Sequence, residues 1–179
     1  IRDRRRSRGL GDVYKRQELG LANEMAINQF IAHHSVIFQS EKKRMWVSTA
    51  PWQCGKYVAY DLNRIFSDSI DFNHEIYTEN LTVPADSFLQ QQEYQQLMTY
   101  KRLAPVLRKQ IKKKERLDEQ TLHAFQHANP HFFYVYELLG DYYHATGQQD
   151  KALRNWKKAL LLPIPKRSES ERIEHKINN

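Results

Sequence analysis

Histidine side chains form the most conspicuous metal-binding pattern in this sequence. His123, His127 and His131 follow one another at intervals of four residues, which places side chains on one face of a helix, where imidazoles can share a zinc ion. Pro130, however, interrupts a helix before the third histidine. The pattern is therefore incomplete, and we predict no metal site and no cofactor in the chain.

A second group of candidate residues is His33, His34 and Cys54. The two histidines are adjacent, so in a strand their side chains point to opposite faces and cannot chelate one ion together. We expect them to be core or pocket residues. Cys54 is the single cysteine of the sequence, which excludes an internal disulfide and a cysteine-rich zinc site. It lies in a Trp-Gln-Cys-Gly turn, where we expect a small buried or turn residue rather than a nucleophile.

The composition is that of a folded chain with one ordinary domain or two small ones. The 179 residues include ten Tyr, eight Phe and three Trp, which are enough for a packed core. No stretch approaches the roughly 18 uninterrupted apolar residues of a membrane helix, and the N-terminus lacks the apolar run of a secretory signal. We predict no membrane partner, and a cytoplasmic or a periplasmic location stays open.

The formal net charge of +7 is concentrated at the N-terminus. Residues 1–17 carry seven Lys or Arg against two Asp, which leaves the rest of the chain nearly neutral. This run has no helical or strand periodicity and resembles a translated sequencing adapter. We therefore expect residues 1–17 to be a disordered artefact and the reading frame to be truncated at about Glu18. The competing interpretation, a basic arm that binds nucleic acid, depends on these residues alone, and we expect no nucleic-acid partner.

The elements that position the candidate residues begin with three predicted strands. The first spans residues 27–38, the second 44–50 and the third 56–62, and all are rich in β-branched and aromatic residues. A polar connection at 39–43 makes the first two a hairpin. Because both faces of these strands are largely apolar, we expect the sheet to be covered on both sides. Residues 18–66 are therefore assigned to the end of a larger core that begins before them.

Helices are predicted to follow a linker at residues 67–85, which lacks sustained periodicity. One helix starts near Phe88, and Pro105 is expected to bend or restart it. Asp118 is expected to cap a shorter helix that runs to about residue 128. Residues 86–179 are thus expected to form an all-helical region.

The most specific pattern in the chain is a helical hairpin between about residues 130 and 165. Large and small residues recur there at the spacings of a tetratricopeptide repeat, in which two antiparallel helices interlock. Small residues at two positions let the helices approach closely, and a glycine turn reverses the chain. A lone repeat normally needs neighbouring helices to bury its remaining apolar face. The residues predicted to pack in this hairpin are Tyr136, Leu139, Gly140, Tyr143, Gly147, Ala152, Trp156 and Ala159.

The strand region resembles a known enzyme family. Its sequence reads NQFIAHHSVIF at 28–38 and RMWVSTAPWQCGKYVAYDL at 44–62, followed by a short helical Asn-Arg-Ile-Phe. This stretch resembles the C-terminal end of the penicillin-acyltransferase-like family, the acyl-CoA:6-aminopenicillanic acid acyltransferases, among the N-terminal-nucleophile hydrolases. The resemblance implies an α+β fold. In it the strands are the terminal antiparallel strands of an αββα sandwich, and the tetratricopeptide-like tail follows them.

The resemblance also implies where the chemistry lies. Such enzymes act on a linear, non-peptide amide or an acyl thioester through an N-terminal cysteine whose own α-amino group serves as the base. That cysteine has no counterpart here, so we expect this bacterial fragment to be inactive and its partner to be the missing N-terminal part of the same polypeptide. Asn28, near the start of the first strand, is a candidate positioning group.

The alternative function is a protein interaction module without catalysis. In that interpretation the hairpin and the cationic helix at residues 101–116 dock a partner peptide or an acidic surface. One repeat offers little concave surface, so we expect the helical tail chiefly to pack on the hydrolase core.

Overall fold

The computed structural model describes residues 18–25, 33–67, 71 and 73–179. They fall into two compact units. The sheet unit contains the described residues from 33 to 91, and the helical unit contains residues 18–25 and 92–179. Within this described part of the chain there are three antiparallel strands and six helices, which confirms the expected α+β class in its coarse form.

The sheet is a meander of three short strands. β1 (Val36–Gln39), β2 (Arg44–Ser48) and β3 (Tyr57–Asp61) lie in that order, each antiparallel to the next. Their β-branched and aromatic residues favour the extended conformation. A tight turn at Ser40–Lys42 joins β1 to β2, and a one-turn helix, α1 (Leu62–Ile65), follows β3. The predicted hairpin and the second and third strands are thus confirmed.

The first strand is shorter than the sequence predicts. β1 begins at Val36, while residues 26–32 lie outside the described part of the chain. Pairing with β2 stops where the Ser48 amide donates to the Ser35 carbonyl oxygen at 2.9 Å. Because β2 ends at that residue, it offers no partner to residues before 35.

His33 and His34 consequently do not lie in a strand. Both are exposed, so the expectation that they are core histidines is wrong. The physical reason is that the hydrogen-bonded pairing of β1 with β2 does not extend back along the chain to these two residues. Without strand pairing, the alternation of side chains that would turn one of them toward a core is lost.

Part of the segment expected to be a linker packs on the sheet. Trp46 Nε1 donates to the Leu81 carbonyl oxygen at 2.8 Å. The main chains of Tyr57 and Val83 exchange two hydrogen bonds of 3.0 Å. A half-buried indole N–H needs an acceptor, and the passing main chain provides one. Residues 78–83 therefore belong to the sheet unit.

The described part of the helical unit contains five helices. They are α2 (Gln92–Lys113), α3 (Glu119–Ala128), α4 (Phe133–Ala145), α5 (Gln149–Leu160) and α6 (Arg167–Asn178). Their boundaries follow local capping rules in several places. As predicted, the Asp118 side chain caps α3 by accepting the Thr121 amide at 2.7 Å.

The long helix α2 runs through Pro105 without ending, although the sequence allowed a restart there. Leu103 and Leu107 on either side of the proline are buried in the same core, and their packing keeps the chain helical. Tyr100, one turn earlier, stacks on Phe125 of α3 with ring centroids 5.7 Å apart. Burial raises the pKa of the Tyr100 hydroxyl, so it stays neutral within this core.

Candidate functional site

The hairpin of α4 and α5 packs most closely at Gly140. A Cβ atom at this position would collide with the indole ring of Trp156 on α5. The Trp156 side chain is almost fully buried, and Ala152, one turn earlier on the same helix, is fully buried. A glycine opposite a tryptophan is the small and large pairing that the sequence predicts. It sets how closely the two helices approach.

The other hairpin residues singled out from the sequence differ in burial. Tyr136, Leu139 and Ala159 are buried, and Tyr143 is half-buried. Gly147 has a φ of 78° in the turn between the helices, a conformation that glycine adopts without strain. The three buried residues thus belong to the core of the helical unit, whereas Gly147 is exposed and has no atom beyond its chain neighbours within 4 Å of its Cβ position.

A cluster of charged residues fastens α6 to α4. Glu137 of α4 is 2% exposed and accepts two hydrogen bonds of 2.8 Å from the Arg172 guanidinium. The Lys176 ammonium donates to Glu137 at 2.7 Å and to Asp141 at 2.8 Å. Asp141 also accepts a hydrogen bond of 3.0 Å from Trp156 Nε1. The cluster is thus continuous with the hairpin contact, and its hydrogen bonds are of the strong, charge-assisted kind.

The surroundings of Glu137 keep its carboxylate ionised. Burial is the largest single influence and raises the pKa, but the hydrogen bonds from Arg172 and Lys176 and their positive charges together outweigh it. The pKa of Glu137 therefore lies below its ordinary value of 4.5. The same hydrogen bond raises the pKa of Arg172, so both partners stay charged.

Acidification is expected to destabilise the helical unit through Glu137. A carboxyl group with a lower pKa in the folded state stabilises the fold at higher pH, because the unfolded chain binds the proton more readily. This contribution is complete above the unfolded pKa near 4.5 and is lost as the pH falls through the lower folded pKa. As the pH is lowered from about 6 to about 3, the urea concentration at the midpoint of unfolding should therefore decrease more for the native chain than for Glu137→Gln. Equal decreases would contradict this role.

A groove of about 460 Å³ opens beside the charged cluster. The His144 imidazole lies 5.5 Å from the Trp156 ring and is hydrogen-bonded to Gln149 at 2.9 Å. Lys176 and Asp141 neutralise each other in the groove wall, and Lys176 is held in ion pairs rather than free to act as a nucleophile. Among the residues that the structure describes, the groove therefore presents no unpaired lysine. Its lining residues are Ile111, Asp141, His144, Ala145, Trp156, His175, Lys176 and Asn179.

Cys54 is 1% exposed and forms no disulfide, which confirms the expectation of a small buried cysteine. Its amide donates to the Pro51 carbonyl oxygen at 3.0 Å, and its carbonyl oxygen accepts the Asp86 amide at 2.8 Å. These bonds fix the turn in which it lies. Asn28, the candidate positioning group, lies outside the described residues.

The histidines of α3 are arranged for stacking. The rings of His123 and His127 have centroids 3.9 Å apart, and His127 Nδ1 lies 3.1 Å from the His123 carbonyl oxygen. Among the residues that the structure describes, no group of three or more His, Cys, Asp or Glu side chains is placed to hold a metal ion. The helices described are all too short or too polar to cross a membrane.

The charged cluster was not predicted from the sequence, although the spacing of its residues along the chain indicates two charged helix faces. Glu137 and Asp141 are four residues apart on α4, and Arg172 and Lys176 are four residues apart on α6. Each spacing places two like charges on one helix face, and the two faces are complementary. Only the pairing of the two helices reveals that these faces meet.

Comparison with known proteins yields no match. No protein-family model matches the chain, and no curated protein and no solved structure matches it significantly. Function is therefore inferred from the residues of this chain and their geometry.

Proposed function

We propose that the sheet unit forms the last strands of an N-terminal-nucleophile hydrolase core of the penicillin-acyltransferase-like type. The observation that carries this proposal is the exposure of β1, whose Val36, Ile37 and Phe38 are 44%, 50% and 68% exposed. Neighbouring residues of a strand face opposite sides of the sheet, so both faces of β1 present apolar surface. Such a strand requires cover on both sides, which a layered αββα sandwich supplies.

The edge of the sheet supports the same proposal. In the described part of the chain, β1 pairs with β2 from Val36 opposite Val47 to Gln39 opposite Arg44, and its other edge is unpaired. An apolar unpaired edge is a template for another strand, and native proteins cover such edges. Further strands of the same polypeptide, upstream of Glu18, would pair there and complete the sandwich.

The proposed parent enzyme transfers an acyl group from a linear, non-peptide amide or an acyl thioester to water or an amine. A cysteine exposed as a new N-terminus attacks the carbonyl carbon, and its α-amino group takes the thiol proton and gives it to the amine or thiol that leaves as the substrate bond breaks. Water or an amine then attacks the resulting thioester and releases the cysteine thiol. Cys54 does not suit this role, because its side chain is buried and its main chain is fixed within a turn. This chain would supply strands and a helical tail, and the nucleophile would come from upstream.

Within the tail, we place one tetratricopeptide-like repeat at α4 and α5. The contact of Gly140 with Trp156 and the burial of Ala152 and Ala159 support this assignment. The turn between the helices, residues 146–148, has the glycine that the repeat pattern requires. Helices α2, α3 and α6 take the place of neighbouring repeats by burying the rest of the hairpin.

Acyl-transfer assays test the assignment of the nucleophile. With a short-chain acyl p-nitroanilide or an acyl-CoA thioester, we expect the chain to release no product and to show no acyl adduct in its intact mass. The Cys54→Ala variant should behave identically. A longer chain that includes an upstream cysteine should form a thioester adduct there, and Cys54→Ala should leave that adduct unchanged. An adduct on Cys54, abolished by Cys54→Ala, would show that the proposal is wrong.

A second candidate function, docking of an acidic protein partner, is favoured by the region around the end of α2. Lys109, Lys112, Lys114 and Arg116 are exposed there, and within the described part of the chain no ion pair engages them. Residues 92–179 carry sixteen Lys or Arg against ten Asp or Glu, so like charges around this surface add to its field. Salt-sensitive binding of polyglutamate that is lost when Lys109 and Lys112 become glutamine, but kept in Lys157→Gln, would favour this function.

A further inference from the structure

An eight-residue segment ahead of the sheet unit is held by two connections of the helical unit. We call this segment, residues 18–25, the strap. It contacts the connection between α3 and α4 at residues 129–132 and the connection between α5 and α6 at residues 161–166. These contacts are made through individual atoms by four residues of the strap, Gly20, Leu21, Asn23 and Glu24.

Asn129 binds the main chain of the strap. Its side-chain oxygen accepts the Leu21 amide at 2.9 Å, and its side-chain amide donates to the Leu21 carbonyl oxygen. Asn129 is 2% exposed, and a buried amide needs both a donor and an acceptor as partners. The strap satisfies both, so Asn129 fixes the register of the strap at Leu21.

The strap position before Leu21 admits only glycine. Gly20 has a φ of 84°, and a Cβ atom there would lie 2.6 Å from the Phe132 nitrogen and 2.7 Å from its Cα. Any larger residue would meet main-chain atoms that cannot rotate away. Leu21 itself is buried and lines a cavity of about 260 Å³ with Ala128 and Pro130. The site therefore selects a glycine followed by an aliphatic side chain.

The next residues of the strap add polar contacts. Asn23 is fully buried, and its Nδ2 donates to the Pro163 carbonyl oxygen at 3.1 Å. The Glu24 carboxylate lies 2.7 Å from the Lys166 ammonium, and this pair raises the pKa of Lys166. Together these contacts are specific for the sequence Gly-Leu-Ala-Asn-Glu. They consist of hydrogen bonds to its main chain, a close approach that only its glycine allows, and polar contacts of its Asn and Glu side chains.

We propose that the helical unit is a peptide-binding module whose ligand is the sequence Gly-Leu-Ala-Asn-Glu. The strap occupies the site within the same chain, and a free peptide of this sequence takes its place when the strap is weakened. The site is formed by the two connections and does not use the groove beside Trp156. It also needs no acyl-transfer chemistry, so it stands or falls independently of the function proposed above.

Weakening the strap is necessary to observe a free peptide in the site. A tethered ligand has an effective concentration of the order of millimolar, which a free peptide at lower concentration cannot overcome. The native chain should therefore bind the peptide weakly. A chain with Leu21→Asp and Asn23→Ala loses the buried contacts of its own strap and should leave the site accessible.

The experiment measures the fluorescence anisotropy of a labelled peptide of residues 18–25 with the full chain. The Leu21→Asp, Asn23→Ala chain is expected to bind it at least about tenfold more tightly than the native chain. A peptide with alanine in place of its glycine should bind at least about tenfold more weakly. Adding Asn129→Ala to the chain should have a similar effect. Asn155→Ala, which removes an asparagine bonded within α5, should change nothing.

Equal binding by the native and strap-weakened chains, or undiminished binding of the alanine peptide, would overturn the proposal. Hydrogen exchange on the native chain tests the premise of the proposal, the docking of the strap at Asn129, even if the double variant fails to fold. The Leu21 amide should exchange slowly, and Asn129→Ala should make it exchange rapidly while the amides of α4 stay protected. Rapid exchange of the Leu21 amide in the native chain would equally overturn it.

Discussion

Replacing Glu137 by alanine is expected to lower the free energy of unfolding by about 3 kcal/mol. The Glu137 side chain is 2% exposed and binds both Arg172 and Lys176. Its removal leaves Arg172 without this carboxylate and Lys176 paired with Asp141 alone, and the contact of α6 with α4 loses three short hydrogen bonds. Urea unfolding followed by the helical circular dichroism signal measures the loss.

The matched control for Glu137 is Glu171→Ala on α6. Glu171 also pairs with an arginine, Arg167, at 2.8 Å, but both side chains are largely exposed. Surface pairs of this kind contribute little, so the control should lose no more than about 0.5 kcal/mol. A loss for Glu137→Ala that is no larger than the loss for Glu171→Ala would mean that the buried cluster does not hold α6.

Replacing Trp156 by alanine is expected to cost about 4 kcal/mol, the largest effect of any single substitution considered. The indole fills the space above Gly140, where no side chain of α4 can replace it, and it donates to Asp141 at 3.0 Å. Alanine leaves a cavity between α4 and α5 and an aspartate with one hydrogen bond fewer. The control is Leu161→Ala, a residue 84% exposed at the end of α5, which should stay within about 0.5 kcal/mol of the native chain.

Gly140→Ala provides a second test of the same contact. In the native background the added methyl group collides with the indole, and we expect a loss of about 2 kcal/mol. In the Trp156→Ala background the same methyl group enters the cavity and should be neutral or stabilising. A double-mutant cycle on urea unfolding measures this coupling. Additive effects of the two substitutions would contradict the close packing of Gly140 on Trp156.

Local patterns in the sequence were sufficient to predict most helices of the helical unit. Asp118 marks the start of α3 because its carboxylate satisfies an amide that the first turn leaves unpaired. The contact between Gly140 and Trp156 follows from small and large residues at helical spacing in adjacent helices. Such contacts join residues near each other in the chain, so periodicity and capping are enough to predict them.

Contacts between distant residues were not predictable in this way. Glu137 meets Arg172 across 35 positions, and Leu21 meets Asn129 across 108. The sequence around a buried asparagine does not show which residue it will form hydrogen bonds with. A charged helix face does not indicate a contact either, because such a face is usually only solvated surface. The length of β1 was missed for a related reason. The pattern of residues 27–38 does not show where the neighbouring strand stops pairing.

The two units support the proposed function in different ways. β1 has an exposed apolar edge, and under the hydrolase proposal further strands of the parent enzyme pair there. The helical unit is packed around α4 and holds the strap through two of its connections. We propose that this unit binds the strap, and we assign it no part in acting on the substrate.

The most direct test of the central claim is to sequence the genomic DNA upstream of the Glu18 codon. The account predicts a continuous reading frame of about 100 to 150 further residues that contains a cysteine at a processing site. That result would place the nucleophile ahead of β1, as the hydrolase proposal requires. A native reading frame that begins within the basic run at residues 1–17 would contradict the proposal, and the interaction module would become the better explanation of this chain.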